Sequence, residues 1–163
     1  MNVVIGTFRD LLKQINESPK LLEALQQICS SLNVVATLPS LDVETRWNSS
    51  WEMISGIIKM RKPIEELQRR IRDRHEGYTS FSISPTDRLA KQISDESWSY
   101  MHDFSSFLAP FKDLTVLMSG SEYPTLGMTI PIYHSLTQHS KNAITANTGF
   151  RAIYTIKFAK SVM

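Results

Sequence analysis

Residues 95–118 read DESWSYMHDFSSFLAPFKDLTVLM. Met101, Phe104, Leu108, Phe111, Leu114 and Met118 recur at steps of three and four, which predicts one helix with a single broad apolar face. Asp95 stands where a helix cap belongs, Pro110 lies inside the pattern, and Ser119-Gly120 is a stop signal.

The same periodicity runs outward in both directions. Upstream, the spacing predicts a helix over Phe8–Ile15. A second opens at Ser18-Pro19, an N-cap followed by proline at the first helical position, and carries Leu21, Leu22, Leu25, Ile28 and Cys29. Residues 33–47 form a connection rich in β-branched side chains, so any short extended segment is expected between 33 and 45. Ser49 and Glu52 have capping-box spacing, with Ser49 as the expected cap. The helix they open is expected to reach Arg74, with a kink or break near Arg61 imposed by Pro63. Trp51, Ile54 and Ile58 share a face before the proline, and Ile64, Leu67 and Ile71 share another after it.

Residues 76–84, EGYTSFSIS, read as a loop. Ser84-Pro85 predicts a short helix carrying Leu89 and Ile93. A helix following Pro124-Thr125 contains or breaks at Pro131, and a last one begins near Thr148. The expected fold is all-α, an irregular multi-helix domain spanning 1–163. Leading helices and a linker occupy 1–41, and the motif-bearing helical region occupies 42–163.

At 163 residues with 42% hydrophobic and 21% charged residues, the chain has the size and composition of one globular domain. No apolar run reaches the roughly 20 residues needed to span a bilayer, and the N-terminus lacks the pattern of a signal peptide. The single cysteine, Cys29, excludes an internal disulfide framework and fits an intracellular compartment. Its place on an apolar helix face marks a core residue.

Net charge is +2, but seven basic residues against three acidic ones lie between Lys59 and Arg74. Lys62, Arg69 and Arg72 project together, opposite Ile64, Leu67 and Ile71, as cations following a phosphate backbone would. Glu65 with Arg69 and Glu66 with Arg70 stand at i, i+4 spacing in the favourable order, so part of that charge is expected to be neutralised as a solvated ion-paired face.

No glycine loop for phosphate is present, His75, His102, His134 and His139 form no close metal-ligand pair, and most carboxylates sit at helix starts. No catalytic residue, metal site, cofactor or small-molecule ligand is expected. Arg46-Trp47 stands apart from these. A planar pair before a helix is either an anchor of that helix or a surface for stacking on a base and holding a phosphate.

Asp42-Val43-Glu44-Thr45-Arg46-Trp47-Asn48-Ser49 resembles the D-x-x-T-R-W-N-S signature of hAT-superfamily transposases, a group that includes ricesleeper-like and BED zinc-finger proteins. Trp51-Glu52-Met53, Arg61-Lys62, Trp98, Leu108-Ala109-Pro110-Phe111, Thr115 with Ser119-Gly120, Tyr123-Pro124-Thr125, Pro131 and Lys157-Phe158-Ala159-Lys160 follow in the family's order.

The resemblance implies the helical insertion of an RNase H-like transposase, with Arg46 as a phosphate or base contact and Trp47 as a stacking platform. The chain has no Cys-x-x-His and shows no complete acidic triad. The expectation is a truncated, catalytically inactive, nuclear protein with residual DNA affinity. The alternative is a domesticated helical module that binds other proteins or the parent transposase, and a remnant without function is a third reading. Trp51 is expected to be a buried core anchor and Trp47 to be partly exposed. Cut from its catalytic core, the domain is also expected to expose apolar surface.

Overall fold

The computed structural model describes residues 3–41, 47–79, 81, 89, 91–119, 127 and 129–145, with the side chains of Trp47, Ile144 and Thr145 excepted. Among these residues the fold is all-helical, with six helices and no strand: α1 (Val3–Glu17), α2 (Pro19–Ser31), α3 (Trp47–Lys59), α4 (Arg61–Arg72), α5 (Asp95–Met118) and α6 (Thr129–Thr145). The connection over 33–41 is irregular rather than extended into a strand.

Local chemistry sets the boundaries. Ser18 holds an extended backbone and its Oγ accepts from Leu21 N, while Pro19 fills the first helical position where a missing N–H costs nothing. The α1–α2 turn is therefore a single residue. Ser94, not Asp95, caps α5: its Oγ accepts from Ser97 N, and Asp95 and Glu96 occupy the first turn where the helix dipole favours anions. Ile93 lies in the non-helical approach to that cap, and Leu89 in a turn. The residues expected to open a short helix there, Ser84 and Pro85, lie outside the described residues, as do Tyr123–Thr125 and everything after Thr145.

Helix α3 starts at Trp47, two residues before the expected Ser49 cap, so Ser49 and Ser50 are inside its first turn. The break forced by Pro63 falls at Met60, the N-cap of α4. Proline has no N–H to give to the Lys59 carbonyl, so it is tolerated only near the start of a new helix. Pro131 sits in the first turn of α6 for the same reason.

The core gathers Phe8, Leu11, Leu12 and Ile15 of α1, Leu25 and Ile28 of α2, and Met53, Ile54 and Ile57 of α3. Ile64 and Leu67 of α4 join it, with Trp98, Met101, Phe104, Phe107, Leu108 and Phe111 of α5. Helix α5, about 36 Å long at the usual rise, packs on α1, α3 and α6. Its apolar face stops earlier than periodicity predicts, because Leu114 is only half-buried and Val116, Leu117 and Met118 are exposed. Ile130 and Tyr133 of α6 are also exposed, at 81% and 64%.

Pro110 deprives the Ser106 carbonyl of its usual N–H donor, yet α5 continues through it. At the neighbouring carbonyl, Phe107 O, the His139 Nε2 stands at 3.0 Å, and the imidazole stacks on Phe107 and meets the edge of Phe111. One histidine thus fastens α6 beside the proline. His139→Ala should cost about 1–2 kcal/mol through a lost hydrogen bond and ring contacts. Hydrogen exchange would show α6 amides opening faster than those of α3; uniform protection would contradict the assignment.

Candidate nucleic-acid interface

Helix α4 owes its strong two-sidedness to Ile64, Leu67 and Ile71, which are buried, and to the charged residues between them. Lys62, Arg69 and Arg72 do come together. With Leu32, Glu65, Glu66 and Gln92 they line one groove of about 330 Å³. Lys62 has no ion-pair partner among the described residues. Arg72 Nε lies 3.4 Å from Asp73, and its Nη1 donates to Gln92 Oε1 at 3.4 Å.

Arg69 is the most constrained of the three. Its Nε and Nη2 donate to the two Glu66 oxygens at 2.8 Å each, and its Nη1 is 3.6 Å from Asp73. Glu66 also accepts from Arg70 Nε at 2.7 Å, while Arg70 covers the Tyr78 ring at 5.7 Å.

The expected Glu65–Arg69 pair is replaced by others. Glu65 accepts from Arg61 Nε at 2.8 Å, and Arg61 also pairs with Asp95 and lies 5.4 Å over the Trp98 ring. Asp95 is 34 residues away, so no helical spacing could reveal it. Once Asp95 and Trp98 hold Arg61 at the start of α4, Glu65 turns toward it and Arg69 falls to Glu66.

Hydrogen bonding from Arg69, and then from Arg70, lowers the Glu66 carboxyl to about 2 against the opposing effect of burial. A carboxylate held below its ordinary pKa contributes stability that is complete above about 4.5 and fades as pH falls from 4.5 toward 2. Glu66→Gln should cost about 1 kcal/mol at pH 7, given how exposed its arginine partners are. Urea unfolding at pH 7 and pH 3 should show the loss at neutral pH and a shallower acid dependence than the unchanged protein; the same cost at both pH values would refute the pairing.

Arg46 lies outside the described residues, as do Asp42–Thr45. Trp47 opens α3, but its side chain is outside the description too. Trp51 differs from expectation: it packs against the core but is only half-buried, with Lys112 Nζ 5.0 Å from its ring centroid. Buried Cys29 has its thiol pKa raised by desolvation, which suits a core side chain and not a nucleophile. No group of three His, Cys, Asp or Glu side chains among the described residues could hold a metal ion, and no helix among them is long and apolar enough to cross a membrane.

The family model of the ZBED1 RNase-like helical domain matches residues 1–104. The chain belongs to that family. This ZBED1-type helical domain is transposase-derived, of hAT/ZBED origin. No curated protein and no solved structure matches the chain. The matched span takes in α1–α4, the first turns of α5, and all five candidate positions, Arg46, Trp47, Lys62, Arg69 and Arg72. Helix α6 and its His139 fastening lie beyond it.

Proposed function

We propose that this helical domain performs no strand cleavage or joining of its own and holds DNA by its phosphates along α4, as part of a nuclear transposase-derived protein. The observation carrying this reading is the excess of four positive charges between Lys59 and Arg74, with Lys62 and Arg72 exposed on one groove. Arg69 shares that groove but is compensated by Glu66, so Lys62 and Arg72 do most of the contacting. Two-metal phosphodiester chemistry needs several carboxylates converging on the ions, and the carboxylates described on α4 are instead engaged with arginines.

Phosphate contacts release condensed counterions, so binding should be sequence-tolerant and steep in salt. Two to three contacts give a log–log slope of roughly −1.5 to −3. Replacing Lys62, Arg69 and Arg72 by alanine should flatten that slope and weaken binding by about tenfold. Glu66→Gln frees Arg69 and should strengthen binding while weakening the fold, two effects of opposite sign from one substitution. No retention of DNA at low ionic strength would overturn the reading. With Mg²⁺ or Mn²⁺, nicked or hairpin-prone DNA should remain uncut and unjoined; cleavage abolished by Asp42→Ala would place an active site here.

A second reading, a module that docks on the parent transposase or other proteins, is favoured by the exposed Val116, Ile130 and Tyr133. Salt-insensitive association with a protein, in the absence of DNA retention, would select it.

A further inference from the structure

Between α3 and the connection that precedes it runs a second cleft, of about 580 Å³, separate from the α4 groove. Val35 and Pro39 line one wall, and Trp51, Glu52, Ser55 and Lys59 line the other. Its volume is within the range of sites that enclose a small organic group.

Three features define what would fit. Trp51 is half-buried and lines the cleft, and Lys112 Nζ of α5 stands 5.0 Å from its ring centroid. Glu52 and Lys59 are both exposed and stand seven residues apart on the helix, about 10 Å along its axis. No ion pair joins either to another described residue. A ligand here meets a flat aromatic surface, a hydrogen-bond acceptor beside it, and a cation two turns further on.

We infer that this cleft takes one nucleotide of an unpaired DNA strand, its base against Trp51 and its phosphate toward Lys59. The base supplies a planar face and, in adenine, cytosine or guanine, an exocyclic amine for Glu52 to accept from. The phosphate matches Lys59, and the hydroxyls of Ser40 and Ser55 are available to the sugar and backbone. The inference rests on the DNA reading above but adds a site that recognises a base as well as a phosphate.

The test compares a single-stranded ten-nucleotide DNA with an abasic sugar-phosphate strand of the same length. The base-bearing strand should bind the unchanged protein about 5- to 150-fold more tightly, the usual range for one stacking contact. Ser55→Trp fills the cleft from α3, and Val35→Trp fills it from the exposed opposite wall. Each should abolish the difference between the two strands while the abasic strand still binds through the α4 cations, with circular dichroism verifying the fold. Equal binding of both strands to the unchanged protein would overturn the cleft while leaving the α4 phosphate contacts standing. Failure of both strands to bind at low salt would remove both proposals. A preference for the base-bearing strand that survives both cleft-filling variants would place the stacking surface elsewhere.

Discussion

Trp98→Ala should lower the stability of the domain by about 3–5 kcal/mol, enough to unfold a fraction of the chain at 37 °C. The ring is 3% exposed and meets the edge of Phe8 at 4.8 Å, and Arg61 covers it at 5.4 Å. Three helices, α1, α4 and α5, thus converge on one side chain near the start of α5. Its removal leaves a cavity and frees Arg61 from one of its contacts, which loosens the start of α4. The indole Nε1 is buried without an acceptor among the described residues, so the N–H itself contributes nothing favourable. Trp98→Phe should therefore cost much less than Trp98→Ala. Urea midpoints that fall equally for both would show that the ring contacts are not what matters.

Gly56→Leu should also be damaging, at about 1–2 kcal/mol. A Cβ at Gly56 would come within 2.6 Å of Pro39 Cβ and 3.0 Å of its Cγ. A proline ring cannot swing aside, being closed onto its own backbone, so the connection over 34–40 must lift from α3. Overpacking of this kind costs about 1–3 kcal/mol, only partly offset by the gain of about 1 kcal/mol when a helix loses a glycine. Gly6, in α1, has nothing within 4 Å of the added atom. Gly6→Ala should accordingly stabilise by about 0.5–1 kcal/mol, and thermal unfolding of the two variants should move in opposite directions. Stabilisation by both would mean Pro39 yields freely.

What periodicity and punctuation could show was local. Ser18-Pro19 marks the start of α2, and the spacing of Met101, Phe104, Leu108 and Phe111 marks the buried face of α5. The all-α class follows from such signals. Side-chain partners did not, because a helix offers each carboxylate neighbours at three and four residues in both directions, and a residue from elsewhere decides among them. Asp95 and Trp98 decide for Arg61, and the remaining pairs follow. The C-terminal limit of the α5 apolar face is not legible for the same reason: periodicity continues to Met118, but burial depends on whether another helix reaches that far. Trp98 itself was legible, since it stands three residues before Met101 on the same stripe.

The candidate site was legible in part. Lys62, Arg69 and Arg72 share a groove as their spacing indicates, but the strength with which Glu66 holds Arg69 was hidden in rotamers. The cleft beside Trp51 had no sequence signal, because its far wall is an irregular connection with no period to read.

The position of α5 in the chain has a consequence for synthesis. Phe8 meets Trp98 across 90 residues, and the longest of the described helices, the one on which α1 and α3 close, is made after both of them. Long-range closure of this kind is slow compared with helix formation. At ordinary rates of translation, about 5–20 s separate the emergence of α1 from that of Phe111. Through that interval the nascent chain carries Phe8, and in its later part Ile54 and Ile57, without the surface that covers them. The helix that completes the core thereby sets how long a half-made chain is open to chaperones and to its neighbours on the same message.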